Sequence, residues 1–215
     1  MDYVLLDLDG TITNPKEGIT KSVQYGLKAM NIHIDDLDSL TKHIGPPLRE
    51  GFMEYYGFNE EEAEATVKKY REYYIETGIH QNELYEGMER LLTRLKQAGK
   101  YLIVATSKPE ELAVKVLEGF HLENYFDDIC GASFDTSRES KAAVIKYALE
   151  KNSITNLDKV VMVGDRKYDI LGAKEAGISS IGVLYGFGSE KELREAGADR
   201  IVATVEEVYE AIMEM

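Results

Sequence analysis

The sequence predicts an α/β protein with a Rossmann-like parallel-sheet core and an inserted all-helical cap domain. Three observations carry that prediction. From Met88 onward, helical stripes alternate with short apolar runs rich in β-branched residues, the pattern of repeated strand-helix units. One further apolar run, Tyr3-Val4-Leu5-Leu6, stands apart near the N-terminus. Between the two, roughly from Asn14 to Tyr85, only helical periodicity is found. Residues 1–13 and 86–215 are therefore expected to form the core, and residues 14–85 the cap.

In chain order, the first strand runs from Tyr3 to Leu6 and leads into Asp7-Leu8-Asp9-Gly10-Thr11. In an extended chain residues i and i+2 point to one side, so Asp7 and Asp9 can share a pocket while Leu8 turns into packing. Gly10 permits the turn that follows. Two carboxylates so close repel each other, and the pair costs free energy unless a cation, a proton or a phosphoryl group is shared between them. Pro15 then opens a helix with the stripe Ile19/Val23/Leu27/Met30. Ile44-Gly45-Pro46-Pro47-Leu48-Arg49 interrupts the periodicity. Asn59, followed by Glu60, Glu61 and Glu62, starts a second helix with the stripe Ala63/Val67/Tyr70/Tyr74. Tyr55, Tyr56, Tyr70, Tyr73 and Tyr74 read as packing residues of these helices.

In the core region, Met88/Leu91/Leu92/Leu95 form a stripe that ends before Gly99, and Leu102-Ile103-Val104-Ala105 is the next strand. Thr106-Ser107-Lys108 follows it, with Ser107 and Glu110 at capping spacing for the helix after Pro109. The strand from Ile129 to Ala132 holds Cys130, the single cysteine, which reads as a small core residue. Lys141 opens a helix with Ala143, Val144, Tyr147 and Ala148. Val160-Val161-Met162-Val163 leads into Gly164-Asp165-Arg166-Lys167-Tyr168-Asp169, where Arg166 and Lys167 are expected in solvent. Ile181-Gly182-Val183-Leu184 and a weak Ile201-Val202 complete the sheet. Ser189 with Glu192 and Thr204 with Glu207 have capping-box spacing, and Gly99 and Gly177 stand where helix ends want a left-handed residue.

Bulk properties narrow the function classes. The chain has 215 residues, a formal net charge of −14 and a pI near 4.8. Nucleic acid and anionic membranes reward clustered Lys and Arg, so neither is the expected partner. No apolar run approaches the length of a signal peptide core or a membrane helix, and a cytoplasmic location is expected. His33, His43, His80 and His121 are scattered with neither an i,i+4 pair nor a cysteine partner, which disfavours zinc.

In an open parallel sheet, ligand groups gather at the carboxyl ends of the strands. The residues found there are Asp7 and Asp9, Thr106-Ser107-Lys108, Lys141 at the start of a later helix, and Asp165 with Asp169. The set offers a nucleophile, an acid/base, a hydroxyl, a cation and two further carboxylates, the inventory of phosphoryl transfer. In order and spacing it resembles the haloacid dehalogenase superfamily. Asp7, Asp9 and Thr11 match its Asp-x-Asp-x-Thr motif, Thr106 the second motif, Lys141 the third, and Gly164, Asp165 and Asp169 the fourth Gly-Asp-x-x-x-Asp. The helical insert between the first and second motifs is similar to the cap of phosphoglycolate phosphatases and related small-molecule phosphatases.

The resemblance implies roles. Asp7 attacks phosphorus; carboxylates are ionised at neutral pH, so such a nucleophile needs no base. Asp9 protonates the leaving oxygen and then activates water. Magnesium is held by Asp7, the backbone carbonyl of Asp9 and Asp165, with Asp169 beside them. Thr106, Lys141 and backbone amides after Asp7 neutralise the phosphoryl oxygens, and Gly10, Thr11, Ser107 and Lys108 line the phosphate site. Asp169 either orients Asp165 or a metal-bound water, or is a first-turn helix acid. The cap chooses the leaving group, with Arg49 contacting an anionic part of the substrate or else paired with a Glu on a helix surface, and His43 a weaker candidate.

The expected activity is that of a magnesium-dependent phosphatase acting on a small anionic phosphorylated metabolite through an aspartyl-phosphate, as a monomer or homodimer. Phosphoglycolate, nucleoside monophosphates and sugar phosphates are the candidate substrates. Lys141 is followed by Ala142-Ala143-Val144, where phosphoglycolate phosphatases often carry prolines, so the substrate stays open. A β-phosphoglucomutase-like mutase, a pyrophosphatase or a non-hydrolytic phospho-acceptor would keep the same motifs. A haloalkanoic acid dehalogenase would lack Asp9. A signalling receiver domain would carry its acidic pair on another strand and have no insert.

Overall fold

Among the described residues eight strands run along the chain: β1 (Tyr3–Leu6), β2 (Thr13–Asn14), β3 (Glu83–Leu84), β4 (Tyr101–Pro109), β5 (Asp128–Ala132), β6 (Val160–Gly164), β7 (Ser179–Val183) and β8 (Arg200–Val202). The computed structural model describes residues 1–135 and 137–215. Its chain divides into two units, Met1–Asn14 with Leu84–Met215, and Pro15–Glu83. Helices α1 (Lys16–Ala29), α2 (Leu48–Tyr56) and α3 (Glu60–Glu76) belong to the second unit. The first unit holds α4 (Met88–Gln97), α5 (Glu110–Gly119), α6 (Lys141–Lys151), α7 (Lys167–Ala176), α8 (Glu190–Ala196) and α9 (Val205–Glu214).

Six strands form one parallel sheet in the order β5-β4-β1-β6-β7-β8, with Tyr3 paired to Tyr101 on one side and Val160 on the other. Alternation sends Leu5, Ile103, Ala105, Cys130 and Met162 to one face, where they pack with Val144, Ile145, Ala148 and Leu149 of α6 and Ala173 of α7. Val4, Leu6, Leu102, Val104, Val161 and Val163 point to the opposite face and are also fully buried. This is why the runs read as continuous apolar segments rather than alternating ones. From β1 the chain steps outward to β4 and β5, then returns across β1 to build β6, β7 and β8 on the other side. Right-handed crossovers with this reversal place α4 and α5 on one face and α6, α7 and α8 on the other. The reversal opens a crevice at the carboxyl ends of β1, β4 and β6, the usual place for a ligand.

Local signals explain most boundaries. Gly99 and Gly177 both have φ of 73°, each just beyond a helix end. Ser189 and Thr204 accept hydrogen bonds from the amides of Glu192 and Glu207. The expected Ser107 cap is not formed. Here β4 continues to Pro109 through a register shift after Thr106, so Ser107 stays in the strand and α5 begins without a side-chain cap. The two-residue strands β2 and β3 are a second departure, because the ends of the segment read as purely helical are extended and form a small ladder.

In the second unit, α1 packs along α3 and buries Ile19, Val23 and Leu27 together with Ala63, Val67, Tyr70 and Tyr74. Asn59 closes a reciprocal capping box with Glu62, which fixes where α3 begins. Tyr70 and Tyr74 stack with centroids 5.4 Å apart, one turn from each other on the buried face.

Candidate active site

The amide of Asp7 donates to Val163 O at 2.9 Å, so pairing with β6 continues one residue past β1 and fixes the Asp7 side chain at the sheet's carboxyl edge. The chain then turns tightly, with Leu8 O accepting from the amides of Thr11, Ile12 and Thr13. Gly10 has a φ of 87°, and a Cβ there would lie 2.3 Å from Asp165 Oδ2, so both backbone conformation and space require glycine. The amides of Gly10 and Thr11, expected at a phosphate, bond inside this loop to Thr13 O and Leu8 O. Their observed work is to hold the turn, and the Thr11 hydroxyl lies 3.5 Å from Asp165 Oδ1.

Lys141 is the first residue of α6, whose start is capped by Ser140 Oγ accepting from Ala143 N at 3.2 Å. Its stem runs inward rather than to solvent. The ammonium donates to Ala105 O at 3.0 Å and pairs with Asp7 Oδ1 and Asp169 Oδ1, both at 2.8 Å. Burial alone would lower its pKa, but Asp169 and Asp7 outweigh burial and hold it raised. Asp7 Oδ1 also accepts from Leu8 N at 2.8 Å. Asp169, at the third position of α7, accepts from Arg166 N through Oδ2 at 3.0 Å. Gly164 leaves it room, since a Cβ there would lie 2.2 Å from the Asp169 carboxyl carbon.

The bulged end of β4 brings Thr106 and Lys108 to the same edge. The buried Thr106 hydroxyl accepts from Lys108 N at 3.2 Å, Ser107 is half-buried, and the Lys108 ammonium forms a buried ion pair with Asp9 Oδ2. Burial pushes the Asp9 carboxyl up against the pull of Lys108, with the Asp7 charge adding to the rise. Asp165 is raised well above the ordinary carboxyl range by burial and then by Asp169 and Asp7. Asp169 is pushed up to about 6 by burial, Lys141 opposing.

Asp7, Asp165 and Asp169 each offer an oxygen within 4.8 Å of the others. With Asp9 they make four buried carboxylates, met by the two ammoniums of Lys108 and Lys141. Arg166 is engaged elsewhere. The residual negative charge, borne on hard oxygen donors, fits a small divalent cation such as magnesium, and Asp9 adds a backbone carbonyl next to the cluster. Raised carboxyl pKa values are what such a cluster shows when protons stand where a cation would.

Two expectations change. Arg166, expected in solvent, is buried and donates from Nε to Glu192 Oε1 at 2.9 Å; Glu192 of α8 turns from its capping position to meet it, while Lys167 stays exposed. His43 lies inside the helical unit with its ring 5.0 Å from Phe52 and 5.7 Å from Tyr56, and burial draws its pKa down to about 3, Lys42 adding to the effect. It is a neutral packing residue. Arg49 sits at the start of α2 in that same unit, half-buried. The sequence reading also missed the segment after β7: Phe187 N donates to Asp165 Oδ2 at 2.8 Å, and the Tyr185 hydroxyl donates to Thr11 O at 3.1 Å. Gly186 and Gly188, flanking Phe187 beyond a strand's carboxyl end, were the available signal.

A family description, haloacid dehalogenase-like hydrolase, matches residues 4–183. The chain is similar to a 5'-nucleotidase of Pseudomonas aeruginosa, with 43% identity over 191 residues, covering 89% of this chain and 86% of that protein. It is 36% identical over 211 residues to tyrosine-protein kinase PtkA of Mycobacterium tuberculosis, covering 97% of this chain and 72% of that one. The crystal structure of a predicted phosphatase from Clostridium acetobutylicum superposes with a TM-score of 0.98 at 48% identity, over 100% of this chain and 99% of that chain.

Proposed function

The chain belongs to the haloacid dehalogenase-like hydrolase family and is a phosphoric monoester hydrolase, and we propose that it works through an aspartyl-phosphate on Asp7 and favours nucleoside 5'-monophosphates. The observation that carries the route is Lys141, which fixes Asp7 Oδ1 beside Asp165 and Asp169 at the switch point of the sheet. Leu8 N and Lys141 occupy Oδ1, so Oδ2 is the attacking oxygen. It forms the bond to phosphorus as the ester oxygen leaves. Asp9, raised by burial, gives that oxygen its proton; it then takes a proton from water, whose oxygen attacks phosphorus and frees inorganic phosphate and Asp7.

Asp7, the Asp9 carbonyl and Asp165, with Asp169 beside them, are the residues that would hold magnesium, which when bound supplies positive charge to the phosphoryl oxygens. Thr106, Ser107, Lys108 and Lys141 contribute the protein's own donors at the same edge. In this reading residues 1–13 and 86–215 are the catalytic core, and residues 14–85 select the substrate through Arg49.

The 43% identity to a 5'-nucleotidase supports placing nucleoside 5'-monophosphates ahead of phosphoglycolate and sugar phosphates. Phosphate release from all three classes, pyrophosphate and an aryl phosphate, with and without magnesium, tests the proposal. Magnesium-dependent release concentrated on nucleotides, and lost by at least about a thousandfold in Asp7→Asn, is expected. An active Asp7→Asn enzyme would overturn the route, and a profile centred on another class would overturn the substrate.

A further inference from the structure

We propose that the segment Tyr185-Gly186-Phe187-Gly188, which follows β7, is part of the cation site: a strap that positions Asp165. The inference rests on the reading of Asp165 as a cation ligand. Three contacts fasten the strap. Phe187 N donates to Asp165 Oδ2 at 2.8 Å, which fixes the rotation of the carboxylate and so the direction of its other oxygen. The strap's backbone also lies directly on Asp165. A Cβ on Gly186 would stand 2.3 Å from both Asp165 Cβ and Gly10 O, and one on Gly188 would stand 1.9 Å from Asp165 O. No side chain can occupy either position without moving Asp165 or the loop after Asp7.

Tyr185 ties the strap to that loop. Its hydroxyl donates to Thr11 O at 3.1 Å, and its ring meets Tyr85 edge to face with centroids 4.9 Å apart. Tyr85 in turn donates from its amide to Ile12 O at 3.3 Å. The strap thus couples the two segments that bear Asp7, Asp9 and Asp165, and it keeps the three at a fixed separation. Gly186 and Tyr185 act here as positioning residues: Gly186 lies against Asp165, Tyr185 reaches the loop after Asp7 through Thr11, and neither need touch substrate or cation.

Groups that hold a metal's ligands in place typically set its affinity by about ten- to a hundredfold. The test is manganese(II) binding to the folded, substrate-free protein, followed by electron paramagnetic resonance, in wild type, Gly186→Ala, Tyr185→Phe and Asp165→Asn, with circular dichroism as the check on folding. Gly186→Ala is expected to weaken binding about tenfold or more. Tyr185→Phe keeps the ring contact and loses only the tie to Thr11, and a smaller but measurable weakening of a few-fold is expected. In both variants the magnesium concentration for half-activation should rise in proportion to the loss of manganese affinity. If Gly186→Ala does not fold, Tyr185→Phe alone decides. Wild-type affinity in the folded variants, with Asp165→Asn impaired, would overturn the strap. Wild-type affinity in Asp165→Asn would instead overturn the cation reading on which the strap depends.

Discussion

Lys141 reaches three acceptors at once, Ala105 O, Asp7 and Asp169, from a position that in most helices would face water. Replacing it with Ala leaves two buried carboxylates facing each other with no partner between them. Lys141→Ala is therefore expected to cost about 3–5 kcal/mol in urea unfolding and to remove most turnover. The Asp169 carboxyl, at about 6 in the fold against about 3.9 in an unfolded chain, supplies a pH test. The folded state holds this proton more tightly, so unfolding releases it between the two values, and its contribution to stability is lost as pH rises through about 6. A cation must displace the same proton. The rise in melting temperature on adding magnesium should therefore be larger at pH 7.5 than at pH 5, and an equal rise at both would contradict the assignment. At this scale the sequence was legible where a polar residue directly follows an apolar run, as with Asp7, Thr106 and Asp165. It was illegible where identity depends on a distant partner: nothing near Arg166 announces Glu192, and nothing near Thr11 announces Tyr185.

Among the elements, strands were easiest to read because burial on both sheet faces leaves unbroken runs such as Val160-Val161-Met162-Val163. Helix starts were legible wherever a side chain caps the first turn, as Asn59 and Ser189 do. The end of β4 was not, since the register shift beyond Thr106 depends on pairing with β5 rather than on local residues. The start of α6 matters most to the proposed route, because it aims Lys141 at Asp7 and Asp169. Ser140→Ala removes the cap on Ala143 N and is expected to cost about 1 kcal/mol by chemical denaturation. Turnover should fall by more than the folded fraction explains, as the first turn frays and Lys141 loses its bearing. A loss of stability with full specific activity would show that the first turn holds without its cap.

For the molecule as a whole, a single chain carries a sheet unit with every candidate catalytic group and a helical unit with none of them. The helical insertion was legible as a break in the strand-helix alternation, and its internal packing as two apolar stripes. The selectivity proposed for it was not, because substrate choice resides in shape rather than in a motif. Arg49→Ala is expected to alter the ranking among anionic metabolites severalfold while sparing a small aryl phosphate, measured as kcat/KM across the panel; an unchanged ranking would take Arg49 out of substrate selection. The net charge of −14 fits this division, since attraction for an anionic substrate has to be local. The sheet order also has a consequence for how the protein is made. β1 is made before β4 and β6 yet lies between them in the sheet, and the Phe187 amide that meets Asp165 comes after β7. A nascent chain must therefore keep an apolar strand unpaired through much of its synthesis, exposed to aggregation and to chaperones. A chain made only as far as β7 already carries Asp7, Asp9, Thr106, Lys141, Asp165 and Asp169 but still lacks the Phe187 amide that holds Asp165.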